Sequence, residues 1–383
     1  MEPISIDSLE KLHRRRSAKW RTFPKDVLPL PVAEMDFPVA EPIKQILREM
    51  IDASDLGYSS IVPELAEAFA GFARRNWNWD IDLAQFTITS DVAVAGVEVL
   101  RKFTKPGDKI ALSTPVYYSF FAWIDEVAGE CVDVPLVQSA DQGWALDFSG
   151  LEAAFAAGVT AYILCNPHNP VGYTPSRLEL EHLADLADEY GVLIISDEIH
   201  APLIYGGNIF TPYLSLNSQS RRTGVVVTSA SKAWNIAGLK CAQIITADSA
   251  RAAELKTLPE NIPWRSSLLG AWASVAAYKD SQDWLNSARA LLEGNRQLVD
   301  SLLTEHLPRA SYRMPDATYL AWIDLSAYRA EKPAAYILET ARIAFSEGSD
   351  YGPAGRGHIR LNFATSPEII TEAITRTAQI FKD

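Results

Sequence analysis

The feature that most constrains this chain is a repeated alternation between residues 86 and 247. Short apolar runs, "FTIT" (86–89), "KIALS" (109–113), "AYILC" (161–165), "VLIIS" (192–196), "GVVVTS" (224–229) and "CAQIITA" (241–247), are separated by longer stretches of helical character. Runs this continuously apolar suit strands covered by helices on both faces. One intervening helix is well marked. Thr174 is placed to cap it, Pro175 suits its first turn, Leu183, Leu186, Ala187 and Tyr190 recur on one face, and Gly191 stops it. Strands alternating with helices predict an α/β fold with a mainly parallel sheet, whose ligands bind beyond the C-terminal ends of the strands.

Beyond the alternation the character changes. A long helical region over 270–306 leads to a smaller α+β portion, with strands in "TYLAWIDL" and "GHIRLNFA". The first 40 residues are proline-rich and irregular and must pack on the rest. At 383 residues the chain exceeds one compact core, so two domains are expected. These are a large one over 45–270 and a small one combining 1–44 with 271–383. A net charge of −13 argues against nucleic acid and anionic membranes as partners. Cys131, Cys165 and Cys241 show neither metal spacing nor a disulfide framework. With no apolar run of membrane-spanning length and no apolar signal core, a cytoplasmic location is expected.

The chemistry-bearing residues fall at successive strand ends. In "TSDVAVAGVEVL", Ser90 or Asp91 can cap a helix whose first N–H groups, at Val92 and Ala93, suit a phosphate. In "STPVYYSF", Tyr117 can lie over a flat ring. "CNPHNPVG" is a rigid turn offering the amides of Asn166 and Asn169. In "IISDEIH", Asp197 ends an apolar strand, where a carboxylate needs a cationic partner such as a protonated ring nitrogen, and His200 follows three residues later. "VVVTSASK" then presents Ser229, Ser231 and Lys232, with a helix expected to start after the lysine. Each feature alone reads as ordinary structure: a capped helix, a packed aromatic, a turn, a solvated lysine. As an ordered set they suit pyridoxal 5'-phosphate, whose aldehyde takes a lysine and whose pyridinium takes an acid.

The order NPxNPxG, SDEIH, SxSK and a late arginine in "HIRLNFA" resembles the fold-type I pyridoxal-phosphate enzymes of the class I/II aminotransferase family, over nearly the whole chain. Within "KWRTFPKDVLPLPVAEMDFP", the elements KW, LP and VAxMDF are similar to the MalY/PatB-type cystathionine β-lyase branch, the C–S lyases. His200, where aminotransferases usually carry tyrosine, fits the same branch. The resemblance implies a mainly parallel seven-stranded sheet. It implies Lys232 as the residue bonded to the cofactor and as catalytic base, Asp197 on the pyridinium nitrogen, and Asn169 and His200 near the ring oxygen. Tyr117 would stack on the ring. Ser229, Ser231, Lys240 and the amides of Val92 and Ala93 would hold the phosphate. Tyr58 would reach the phosphate of a neighbouring subunit, making a homodimer with shared sites. Arg360 would bind the substrate carboxylate, with Ala33 and Asn169 bordering the substrate.

Two departures stand out. Lys240 occupies a place where many aminotransferases have arginine, and Pro31 and Glu34 stand where tryptophan and aspartate are commoner in the lyase branch. The activity implied is α,β-elimination of cystathionine or cysteine S-conjugates to pyruvate, ammonia and a thiol. An aminotransferase, or a lyase with an added regulatory binding role, is the alternative.

Overall fold

The computed structural model describes residues 4–59, 62–139 and 143–381. The apolar runs form the strands β1 (Phe86–Thr89), β2 (Lys109–Leu112), β3 (Glu130–Asp133), β4 (Val159–Cys165), β5 (Leu193–Asp197), β6 (Gly224–Thr228) and β7 (Ala242–Thr246). They make one seven-stranded sheet in the order β1-β7-β6-β5-β4-β2-β3. The pairs from β6 through β3 are parallel, and β7 runs antiparallel to both its neighbours. This is the mainly parallel sheet expected. Every residue of β5, β6 and β7 is buried, because helices cover both faces. One apolar cluster gathers Val92, Phe120, Ile195 and Val227, and another gathers Tyr162, Ile194 and Val226. Alternate residues of β5 and β6 thus serve the two faces. The sequence reading passed over β3, "ECVD", because it is an edge strand with mostly exposed, polar residues.

Helix α1 (Val92–Phe103) packs on β5, β6 and β7. A Cβ added at its Gly96 would meet the Trp123 ring at 2.2 Å, so glycine lets the next helix layer approach. Helix α2 (Arg177–Tyr190) ends at Gly191, whose φ of 70° is left-handed as a helix stop requires. Its start corrects the expectation. Ser176, not Thr174, is the cap: its side chain accepts from the Glu179 N–H, and Glu179 bonds back to the Ser176 N–H. The S-x-x-E capping box was legible and outweighs the Thr-Pro pair. The 270–306 region is two helices, α3 (Leu268–Asp280) and α4 (Gln282–His306), broken at Ser281, whose hydroxyl donates to the Ala276 carbonyl.

A second sheet follows, with β8 (Ser311–Tyr312), β9 (Leu320–Asp324), β10 (Ser346–Glu347) and β11 (His358–Asn362) in the antiparallel order β8-β9-β11-β10. The N-terminal segment packs on it as expected. Leu28–Pro29 pairs in parallel with Ile343–Ala344. A buried ion pair anchors the following loop: the Lys19 ammonium lies 2.8 Å from Asp36, whose other oxygen accepts from the Trp20 indole at 2.8 Å. Among the described residues, no helix is long and apolar enough to cross a membrane.

Candidate active site

The C-terminal ends of β4, β5 and β6 and the N-terminus of α1 meet the loop 31–36 and β11 around a cavity of about 390 Å³. Its lining includes Ala33, Val92, Ala93, Tyr117, Asn169, Asp197, His200, Ser229, Ser231, Lys232, Lys240 and Arg360. The parallel sheet brings the ends of β4, β5 and β6 together, and the small sheet and the N-terminal loop add Arg360 and Ala33, residues more than 300 positions apart in the chain. Tyr58 is the site candidate left outside. It is 87% exposed, and its ring meets Trp264 edge-on at 6.2 Å. A larger cavity, about 540 Å³, is lined by Val62, Phe86, Leu258 and Trp264, and none of the chemistry-bearing candidates lies in it.

Asp197 closes β5 with 5% exposure, and its carboxylate accepts the Ile199 N–H at 3.1 Å. Burial raises its pKa to about 7, against the opposing pull of that bond and of Lys232. Lys232 follows β6 and donates to the Ala33 carbonyl at 2.9 Å. Burial, then the Arg360 charge, lowers its pKa to about 8, while Glu34 and Asp197 oppose the shift. An amine so tuned is available as a nucleophile or base near neutrality. No α-helix starts after Lys232. The chain turns instead, because Asn235 takes a left-handed φ of 58° and uses its side chain to bond both the N–H and the carbonyl of Met35, each at 2.8 Å.

Arg360, on β11, is 4% exposed. It donates to the Asn169 side-chain oxygen at 3.1 Å, to the Pro31 carbonyl at 2.7 Å and to the Ser346 hydroxyl at 3.3 Å, with the Tyr351 ring 5.0 Å away. Its Nε has no partner. His200 is 3% exposed, its Nδ1 is unpartnered, and burial drives its pKa down to about 3, so it stands neutral. Tyr117 meets Tyr118 at 5.0 Å between rings, and burial raises its hydroxyl pKa. Ser229 donates to the Cys241 carbonyl at 2.6 Å and accepts from the Ser231 N–H at 3.1 Å.

Pyridoxal phosphate fits these residues. Asp197 is a buried carboxylate with one neutral donor, which a ring N–H⁺ would complete. The N-terminus of α1, the serines and Lys240 gather anion donors at one end, and Lys232 supplies an amine beside them. Several contributors escaped the sequence reading. Asn362 donates to the carbonyls of Val32 and Glu34 at 2.6 and 2.7 Å, and Tyr319 donates to that of Ala33 at 2.9 Å. Asn235 and Asn362 lie three and two residues past Lys232 and Arg360, the one local signal that could have flagged them.

The family model for aminotransferase class I and II matches residues 25–376. The chain is 33% identical to the cystathionine beta-lyase of Corynebacterium glutamicum, covering 98% of this chain and all of that protein. It is 31% identical to the cystathionine beta-lyase PatB of Bacillus subtilis (strain 168), over 97% of this chain and 98% of that protein. Among solved structures, cystalysin from Treponema denticola, which contains a pyridoxal 5'-phosphate cofactor, superposes with a TM-score of 0.92 at 28% identity, covering this whole chain and 99% of that one.

Proposed function

Because this chain belongs to the class I and II aminotransferase family, we propose that it is a pyridoxal-phosphate-dependent carbon–sulfur β-lyase, cleaving cystathionine or cysteine S-conjugates to pyruvate, ammonia and a thiol. The observation that carries the cofactor reading is the pairing of Lys232, an amine lowered to about 8, with Asp197, a buried carboxylate awaiting a cation, at adjacent strand ends. Elimination rather than amino transfer rests on relatives bearing the lyase name over their full length.

The residues divide the work. Arg360, pre-positioned by Asn169 and Pro31, binds the substrate α-carboxylate through charge-assisted bonds. Lys232 would hold the cofactor through its amine and would serve as the base that takes the Cα proton. Asp197 keeps the ring nitrogen protonated. Tyr117 would cover a ring face, and Asn169 and neutral His200 would bond the ring oxygen. Val92, Ala93, Ser229, Ser231 and Lys240 hold the phosphate. When bound, the cofactor supplies the electron sink that lets the Cα proton and the Cβ thiolate depart.

The assembly is a homodimer with shared sites. Tyr58 is offered outward at 87% exposure beside Trp264, with Ile51 and Leu56 also exposed in the adjoining segment. An aromatic so presented suits a partner's phosphate better than its own site, whose lining it does not join. The large domain runs over 45–270 and the small one joins 1–44 to 271–383, the extreme termini lying outside the described residues. Three unpaired cysteines suit the cytoplasm.

Purified holoenzyme given cystathionine should release pyruvate, ammonia and homocysteine over many turnovers with no keto acid added. Coupled reduction of pyruvate and a parallel thiol assay measure this. A single turnover that restarts only on adding a keto acid would replace the lyase with an aminotransferase.

A further inference from the structure

The phosphate end of the cavity already contains an anion. Asp91 caps α1, where its Oδ1 accepts the Val94 N–H at 2.9 Å. Its Oδ2 accepts from Lys240 at 3.0 Å. Lys240 is fixed in turn: its backbone sits at a left-handed φ of 52°, and its carbonyl accepts the Ser267 N–H at 3.0 Å. Asp91, Lys240, Val92, Ala93, Ser229 and Ser231 line the same cavity. The first-turn N–H groups of Val92 and Ala93 lack intrahelical partners and carry the positive end of the helix dipole, which favours an anion there. The carboxylate draws on two resources that a phosphate would use, the helix end and the Lys240 ammonium.

We propose that Asp91 is a built-in competitor of the cofactor phosphate: it shares Lys240 and lowers phosphate affinity, making the cofactor exchangeable rather than permanently held. The proposal rests on the cofactor reading above. With Asp91 and Lys240 paired, their charges nearly cancel toward a phosphate, which is then held chiefly by neutral donors. Removing the carboxylate charge commits Lys240 to the phosphate. Asparagine caps helices about as well as aspartate, so Asp91→Asn removes the charge while keeping the cap.

The test titrates pyridoxal 5'-phosphate, and separately phosphate-free pyridoxal, into cofactor-free protein. Trp fluorescence quenching and the visible band of the lysine-bound cofactor are followed. Asp91→Asn should tighten binding of the phosphorylated cofactor at least about tenfold, as expected when a like charge is removed from beside the phosphate donors. Pyridoxal affinity should not change. Lys240→Gln should cost more affinity in the Asp91→Asn background than in the wild type, because the lysine then serves the phosphate alone. Asp91→Ser, which also caps, should reproduce the Asp91→Asn result. Unchanged or weaker phosphate-cofactor binding in both Asp91 variants, or an equal gain with pyridoxal, overturns the proposal. If the wild type shows neither quenching nor a visible band, the cofactor reading itself fails and the proposal with it.

Discussion

Replacing Asp197 by Asn should disable the holoenzyme and yet stabilise the cofactor-free protein. The carboxyl is 5% exposed, and burial raises its pKa from 3.8 to about 7. Between those values the folded protein holds a proton that the unfolded chain has released, so stability is fully present below about pH 4 and declines as pH rises to about 7. At about 1.36 kcal/mol per pH unit, the contribution lost across that window is on the order of 4 kcal/mol. Asn keeps the acceptor for the Ile199 N–H and never ionises. Its advantage should therefore grow by about 2 kcal/mol between about pH 5.5 and pH 8, the part of the window that lies below the folded pKa. Thermal unfolding of both cofactor-free proteins at the two pH values reads this as a widening gap of roughly 2–4 °C for a chain of this size. With cofactor bound, the sign reverses: the wild-type carboxylate gains a ring cation that Asn cannot match, so the variant should bind cofactor more weakly and lose most turnover. An advantage that stays constant with pH, or a cofactor-free variant less stable than wild type at both values, would refute the claim that Asp197 is held short of a cation.

Two further outcomes are expected. Asp36→Ala strands the fully buried Lys19 ammonium and the Trp20 indole, and should cost about 3–5 kcal/mol in denaturant unfolding; a loss below about 1 kcal/mol would mean that the pair does not anchor the loop. Tyr58→Ala and Lys232→Ala, each inactive alone, should regain part of the activity when mixed and allowed to exchange subunits, since one site in each mixed dimer then has both native residues; no recovery despite demonstrated exchange counts against shared sites.

What the sequence determined by itself is the layer order and the chemistry at each strand end. Short continuous apolar runs set between helical stretches suit strands covered on both faces, and a parallel sheet of such strands brings its C-terminal loops to one edge. Lys232, Asp197, Asn169 and Ser229 were legible for that reason: each is a polar residue at the end of a buried strand or within four residues of it, where a local pattern and a site coincide. Local pattern also misled. The edge strand Glu130–Asp133 carries too little apolar character to stand out, and a turn held by Asn235 replaced the helix expected after Lys232. The tertiary structure alone decided how loop 31–36 is held. Asn235 reaches it from the large sheet, while Tyr319, Asn362 and Arg360 reach it from the small one, across up to about 330 residues of sequence. It also decided that Asp91 meets Lys240, a pairing of residues 149 positions apart. No periodicity encodes such contacts, because they depend on where two separately formed sheets come to rest, and side chains with no local role take their meaning from what then lies within hydrogen-bonding reach.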